Sequence, residues 1–106
     1  PPHRWLRVAD ALKAAPGTPV SVKGWVRTRR DSKAEGGMSF VNVHDGSCFD
    51  AIQAVCKASL PNYAGEVAKL TTHCAVEIDG VTSSTPKGGF EIQAEAVEVV
   101  GWVDDP

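Results

Sequence analysis

One stretch of the sequence combines positive charge, an aromatic ring and an amide. Between residues 20 and 33 there are five basic side chains and one acidic side chain, which gives a local net charge of +4, whereas the chain as a whole carries −2. The basic residues are Lys23, Arg27, Arg29, Arg30 and Lys33, and the acidic one is Asp31. Phe40 and Gln53 follow. Cations hold phosphate, a ring stacks on a base and an amide reads a base edge, so these residue types predict a site for single-stranded nucleic acid.

Hydrophobic alternation indicates which side chains face outward. Val41 and Val43 fall on one face of a strand, which places Phe40 on the opposite face. The same alternation around Ile52 and Ala54 turns Gln53 outward. A second interpretation stays open from these residues alone: Phe40 is a core residue at a sheet bend, and the arginines are solvated.

The composition excludes several classes of protein. The chain has 106 residues, 42% of them hydrophobic and 23% charged, which fits one globular domain. No apolar run reaches the roughly 20 residues of a membrane span, and the N-terminus lacks a signal-peptide pattern. Three scattered cysteines without a Cys-x-x-Cys pair argue against a disulfide framework or a zinc knuckle, and they predict a reducing cytoplasm.

We find no sequence signature of catalysis or of a metal centre. The chain has no glycine-rich phosphate loop after a strand and no convincing carboxylate pair. His44 and Cys48 lie four residues apart but lack further ligands, and Asp45 and Asp50 are typical turn residues. We therefore expect no catalysis and no metal site.

The elements that must position the candidate residues are mostly strands. We predict an N-terminal helix over Arg4 to Ala15, or a shorter one over Ala11 to Ala15 capped by Asp10. A second helix is predicted to begin at Ser59, between the third and fourth strands, and Asp45-Gly46 is predicted to form a tight hairpin. The five predicted strands are Val20–Arg30, Met38–His44, Cys48–Cys56, Cys74–Val81 and Phe90–Val100.

This order, β-β-β-α-β-β behind an N-terminal helix, is that of the OB-fold, an all-β Greek-key barrel of five strands. OB-folds bind oligonucleotides on their second and third strands and on two loops, which would be 31–37 and 83–89 here. The expected organisation is an N-terminal extension over residues 1–18, the barrel over 19–100, and the start of a hinge over 101–106.

Several segments resemble the N-terminal anticodon-binding domain of the class IIb aminoacyl-tRNA synthetases, which serve asparagine, aspartate and lysine. The short motif GWVRTRRDSK over residues 24–33 marks the whole class, and the run continues to GWVDDP over 101–106, which favours the asparagine member. The other matching segments are SF (39–40), DGSC (45–48), IQAV (52–55), SLPNY (59–63), LTT (70–72) and FEIQA (90–94).

The resemblance implies roles for individual residues. Phe40 matches the aromatic residue that stacks on the middle anticodon base, a uridine, and Gln53 matches the glutamine that hydrogen-bonds this base. Arg30 matches an arginine that contacts the same base or its backbone, although it is out of phase with its neighbouring arginines unless the strand bends. Glu91 matches a glutamate that reads guanine in the first position. Further RNA backbone contacts are predicted at Arg27, Arg29, Lys33 and Lys87. Lys33 and Lys87, like Asn42 and His44, are the weaker candidates, and for each of these four a solvated side chain is the favoured interpretation.

The resemblance also implies the wider function. The full-length protein would be a cytoplasmic, homodimeric asparagine–tRNA ligase whose ATP and magnesium bind a catalytic domain that is absent here. This fragment, which would be monomeric, would bind the tRNA anticodon loop weakly and in a salt-dependent manner, without cofactor or catalysis. Three alternatives stay open: an aspartate or lysine enzyme, an OB-fold interaction module, and a general single-strand binder.

Overall fold

The computed structural model describes residues 4–33, 36–85 and 89–103, and most of them lie in strands. A short α-helix, α1 (Val8–Ala11), and a 3₁₀-helix (Val67–Lys69) lie among these residues. The strands are β1 (Arg4–Trp5), β2 (Pro19–Ser32), β3 (Met38–His44), β4 (Ile52–Lys57), β5 (Ala75–Ser84) and β6 (Phe90–Gly101).

Strands β2 to β6 close into a barrel. The order of neighbours is β2-β3-β4-β6-β5, and β5 pairs again with β2. All these pairings are antiparallel except β4 with β6, and β1 adds in parallel to the outside of β2. The predicted five-stranded OB-fold barrel is therefore confirmed.

Strand β2 closes the barrel because it serves two neighbours in turn. Its first half, Pro19–Trp25, pairs with β5, and its second half, from Trp25 onward, pairs with β3. Gly24 lies at this change of partner, where a Cβ atom would stand 2.3 Å from the carbonyl oxygen of His44. Only a residue without a side chain fits such a close backbone approach.

The core is filled by alternate aliphatic side chains of the five strands. Alternation along the sequence places Val20, Val22 and Val26 on one face of β2, and all three are fully buried. On β6 the sequence alternation predicts one face shared by Ile92, Ala94 and Ala96, but this prediction is wrong. The register of β6 against β5 shifts by one residue between Ala94 and Ala96, so that Ala96 is exposed and Val97 is buried instead.

The N-terminal extension differs from both predicted helices. Arg4–Trp5 forms a strand, and α1 covers only Val8–Ala11. The N-cap residue of this helix is Arg7 rather than Asp10. The reason is a long-range cap: the Asp45 carboxylate accepts the Val8 backbone N–H at 3.0 Å. A side chain that is distant in the sequence thus accepts a free backbone N–H at the helix N-terminus, which is the role predicted for Asp10.

The segment between β3 and β4 is a loop, not a tight hairpin. Residues 45–51 separate the two strands, and β4 begins at Ile52 rather than at Cys48. Asp45 folds the loop back by accepting hydrogen bonds from the backbone N–H and the hydroxyl of Ser47. An Asp side chain that accepts the backbone N–H two residues later forms an Asx-turn. This local turn explains why Asp45-Gly46 does not form the tight hairpin.

The helix predicted from Ser59 is replaced by a series of turns that ends in the 3₁₀-helix. Asn62 interrupts the helical pattern because its side chain donates to the carbonyl oxygen of Val97 on β6, at 2.8 Å, and to Glu66. Tyr63 places its hydroxyl 2.8 Å from that of the buried Ser39. These turns plug one end of the barrel, with Val67 and Leu70 in the core.

We expect Gly24→Ala to lower the free energy of unfolding by about 1–3 kcal/mol, because the new methyl group meets backbone atoms that cannot rotate away. Urea unfolding would measure the loss. Gly65→Ala is the matched control, since no heavy atom lies within 4 Å of a Cβ at Gly65. Equal stabilities of the two variants would contradict the close approach at Gly24.

Asp45→Asn should lower the free energy of unfolding by about 1.5–3 kcal/mol near neutral pH, because a charged acceptor of backbone and hydroxyl donors is lost.

The effect of this substitution should depend on pH. Burial raises the pKa of Asp45, but the hydrogen bonds from Ser47 and Val8 outweigh it, so the pKa lies below its usual value. A carboxylate whose pKa is depressed by folding stabilises the protein above its unfolded pKa, and this stabilisation fades as the pH falls through the folded value. The stability gap between Asp45→Asn and the natural sequence should therefore narrow below about pH 4. Asp50→Asn, in the same loop, should change stability near neutral pH by less than about 0.5 kcal/mol. Urea unfolding across pH would measure the effect of Asp45→Asn, with Asp50→Asn as the control at neutral pH.

Candidate nucleic-acid interface

The outer surface of β2, β3, β4 and β6 carries the predicted site residues in two neighbouring rows. Residues that are partners across neighbouring strands lie on the same face of a sheet. One row joins Thr28, Asn42, Gln53 and Glu91, and the other joins Arg30, Phe40, Val55 and Gln93. We call these eight residues the outer face. It contains all four residues for which a role in base reading was predicted.

Phe40 is half-buried and lies outside the hydrophobic core, so the interpretation that placed it in the core was wrong. The guanidinium carbon of Arg30 lies 4.6 Å from the centroid of the Phe40 ring. Arg30 faces Phe40 because a β-bulge between Val26 and Thr28 adds Arg27 to β2 without a partner on β3. The bulge shifts the alternation by one residue and removes the phase problem seen in the sequence.

The side chains of Gln53 and Glu91 are hydrogen-bonded to each other. The Gln53 side-chain Nε2 donates to Oε2 of Glu91 at 3.0 Å. The other carboxylate oxygen, Oε1, accepts from the Nε2 of Gln93 at 3.0 Å, and the same Nε2 lies 3.3 Å from the Ser83 hydroxyl. All four side chains are half-buried. The outer face is therefore a connected polar network rather than a set of isolated groups.

Arg29 has a different environment from Arg30. Its Nε donates to the carbonyl oxygen of Leu70 at 2.9 Å, and its Nη1 lies 2.7 Å from both oxygens of Asp31. The Ser39 hydroxyl, 2.7 Å from Asp31, and the Arg29 guanidinium hold the pKa of the Asp31 carboxyl below its usual value. Arg29 thus ties β2 to the turns that plug the barrel.

The remaining basic residues are more open. Arg27 is exposed and donates from Nη2 to the carbonyl oxygen of Phe49 at 3.0 Å. Lys33 is exposed at the end of β2. Lys87 and parts of both predicted binding loops lie outside the described residues.

Beyond the end of the outer face, β3 carries His44, whose ring centroid is 5.9 Å from that of Trp25. Asn42 donates to the Thr28 hydroxyl at 2.8 Å. Sequence reasoning missed Gln93 and Ser83 as members of the site. Gln93 shares the alternation of Glu91, which was a usable signal, whereas Ser83 joins only through the pairing of β5 with β6.

A groove lies elsewhere on the surface, and no predicted base-reading residue lines it. It has a volume of about 560 Å³ and is lined by the exposed side chains of Trp5, Trp25 and Val100 together with Arg7 and Lys23. Within the described ranges, no cluster of three or more His, Cys, Asp or Glu residues could hold a metal ion, and no helix is long and apolar enough to cross a membrane.

Comparison with known proteins agrees with this geometry. Residues 20–100 match the tRNA anticodon family of domains, described as the OB-fold nucleic acid binding domain. The chain therefore belongs to the anticodon-binding family of OB-fold nucleic-acid-binding domains, as its sequence motifs predicted.

Its relatives are more specific. The chain is 60% identical over 103 residues to the asparagine–tRNA ligase of Yersinia pestis (strain Pestoides F), a match that covers 93% of this chain and 22% of the ligase. It is 62% identical over 106 residues to that of Idiomarina loihiensis, with 96% and 22% covered. The chain thus spans about a fifth of the length of these curated relatives.

Solved structures share the fold. The asparaginyl-tRNA synthetase of Entamoeba histolytica superposes with a TM-score of 0.76 at 25% identity, over 98% of this chain and 25% of that one. The enzyme of Pyrococcus horikoshii, complexed with asparaginyl-adenylate, gives a TM-score of 0.77 at 24% identity, over 92% of this chain and 22% of that one, which shows the fold alone.

The contrast between the adjacent arginines predicts different effects on stability. Arg29→Met should lower the free energy of unfolding by about 1–3 kcal/mol, because the Leu70 carbonyl and Asp31 lose a charged donor. Arg30→Met removes an exposed cation–π contact, which contributes only about 0.5–1 kcal/mol. Urea unfolding of the two variants would measure this difference, and a larger loss for Arg30→Met would contradict the assigned contacts.

Proposed function

We propose that this chain is the tRNA anticodon-binding domain of an asparagine–tRNA ligase. The similarity to bacterial asparagine–tRNA ligases over more than nine-tenths of the chain supports the asparagine member of the class. The ATP-dependent charging reaction, with its magnesium, belongs in this proposal to a catalytic domain outside this chain, and the fragment itself binds RNA without catalysis. The complete protein is a cytoplasmic homodimer in this proposal, and the barrel occupies residues 19–100 between an extension (1–18) and a hinge (101–106).

The observation that carries the proposal is the convergence of a ring, an amide, a guanidinium and a carboxylate on one outer face. Phe40 on β3 and Gln53 on β4 belong to adjacent rows, so they are diagonal neighbours across two strands. Such neighbours are about 7–8 Å apart, which lets one base stack on the ring while its edge reaches the amide. Phe40 and Gln53 thus serve the middle base, uridine, and Glu91 the first base, guanine.

Arg30 reinforces the stacking site. Its guanidinium is planar and permanently charged, and such groups stack on bases as well as on aromatic rings. Because Arg30 already lies over Phe40, a base that arrives there meets the ring and the cation together. Arg30 therefore contacts the middle base or its phosphate.

Phosphate contacts supply the affinity that is independent of sequence. Arg27 and Lys33 are exposed near the outer face, and Lys87 is proposed for the same role from the sequence. Arg29 belongs to this group as a prediction, although its guanidinium already binds Asp31 and Leu70. Since one stacked base contributes only about 1–3 kcal/mol, binding by this domain alone is weak and falls steeply with salt.

We expect Phe40→Ala to weaken binding of an anticodon hairpin with the triplet GUU by about 5- to 150-fold, since about 1–3 kcal/mol of stacking is lost. Gln53→Ala should weaken binding and also relax the preference for uridine over cytidine at the middle base. Fluorescence anisotropy with labelled hairpins at fixed salt would measure both effects. Trp5→Ala, which removes an exposed ring in the separate groove, is the control and should bind normally.

The alternatives predict other outcomes. A general single-strand binder would bind hairpins of any loop sequence equally well. A module that binds only proteins would bind none of them, and none of Arg30, Phe40, Gln53 and Glu91 would shift in an NMR titration. Full discrimination between uridine and cytidine by Gln53→Ala would show that Gln53 does not read the middle base.

A further inference from the structure

The Glu91 carboxylate lies between two amides and accepts from both. Gln53 donates to Oε2 and Gln93 donates to Oε1, each at 3.0 Å. Asn42 is the partner of Gln53 on β3, but its amide donates to the Thr28 hydroxyl. Glu91 is thus the group to which the Gln53 side chain is bonded before any RNA is present.

A carboxylate constrains an amide in a way that a neutral polar group does not. An ionised carboxylate only accepts hydrogen bonds, whereas a glutamine amide has a donor end and an acceptor end. Gln53 must therefore turn its nitrogen toward Glu91. The position of its oxygen and of its second N–H is fixed as a result, because rotating the amide by half a turn would bring two acceptors together.

This orientation decides which pyrimidine the amide can read. At the part of its pairing edge that differs from cytosine, uracil presents a carbonyl oxygen next to an N–H donor. Cytosine presents an amino donor next to a ring-nitrogen acceptor. For a base held in one pose, an amide in one orientation matches uracil, and the same amide rotated by half a turn matches cytosine. A freely rotating glutamine would satisfy either base.

We propose that Glu91 is a positioning residue for Gln53 and that it sets the preference for uridine over cytidine at the middle anticodon base. This role rests on the proposed function, and it adds to the reading of the first base. Gln93 supports it because its Nε2 holds the second carboxylate oxygen and reaches the Ser83 hydroxyl at 3.3 Å. The chain Ser83–Gln93–Glu91–Gln53 then runs from β5 across β6 to β4 and ends at the amide that reads the base.

The two roles of Glu91 can be separated with hairpins whose first anticodon position is abasic, because no guanine is then present to be read. Each hairpin carries uridine or cytidine in the middle, and the measured quantity is the ratio of the two dissociation constants. A bidentate amide–base pair gives about 1–3 kcal/mol of discrimination, so the natural sequence should prefer uridine by about 5- to 150-fold.

In Glu91→Gln the residue at 91 can donate as well as accept, so the Gln53 amide can rotate. We expect the ratio to fall toward unity and, more tellingly, binding of the cytidine hairpin to become tighter. General damage to the fold would weaken both hairpins. Removal of a negative charge would strengthen both equally, and Glu98→Gln, an exposed carboxylate on the same strand, controls for that effect.

Gln93→Met gives a second test that leaves Glu91 charged. Loss of the Gln93 donor to Oε1 of Glu91 should lower the ratio of the two dissociation constants, as in Glu91→Gln, but by a smaller factor. A ratio in Glu91→Gln equal to that of the natural sequence would overturn the positioning role while leaving the proposed function intact. Absence of any uridine preference in the natural sequence with an intact GUU loop would instead overturn the proposed function, and the positioning role with it.

Discussion

The barrel depends on one constraint: β2 must exchange neighbours within its own length. A five-stranded sheet closes only if one strand pairs with β5 at one end and with β3 at the other, and β2 does so around Gly24 and Trp25. The change of partner brings the backbone of β2 against the end of β3, which leaves no room for a side chain at Gly24. A second close approach lies at the register shift between β5 and β6, where an added Cβ at Gly80 would stand 2.3 Å from the carbonyl oxygen of Gln93. At both glycines the neighbouring backbone is too close for a side chain, and the one at Gly24 is where β2 changes partner.

The bulge in β2 lies just after this change of partner and determines which side chains of β2 reach the outer face. Without the extra residue Arg27, simple alternation would place Arg29 outward with Phe40 and turn Arg30 toward the barrel. With it, Arg30 lies over Phe40 and Arg29 ties Asp31 to the Leu70 carbonyl. The two adjacent arginines therefore have different environments. Arg29 is hydrogen-bonded within the fold, whereas Arg30 is exposed beside the Phe40 ring. A local backbone irregularity, rather than residue type, distinguishes them.

The sequence predicted what depends on local alternation and missed what depends on distant partners. The bounds of β3, the order of the five barrel strands and the outward direction of Phe40 and Gln53 all follow from period-two patterns, and the structure confirms them. The N-terminal helix was predicted wrongly because Asp45, far along the chain, caps it at Val8. The helix after Ser59 was wrong because Asn62 bonds to β6. The face of β6 was wrong after Ala94 because a bulge, invisible in residue types, shifts the alternation. The roles of the individual site residues came from family resemblance. Gln93 shares the alternation of Glu91, whereas Ser83 could be placed only through the pairing of β5 with β6.

Without RNA, polar side chains of the outer face are hydrogen-bonded to one another, and this affects how such a face discriminates between bases. Gln53, Glu91 and Gln93 are bonded to one another, Asn42 is bonded to Thr28, and Arg30 covers Phe40. RNA binding therefore exchanges existing contacts for new ones, so each matched group adds only a small net free energy, on the order of 1 kcal/mol. A mismatched base has a larger effect, because it separates paired groups and leaves a half-buried donor or acceptor without a partner. A face of this kind gains specificity mainly by rejecting wrong bases. The weak binding and the discrimination between bases that we propose for this domain are thus compatible consequences of one arrangement.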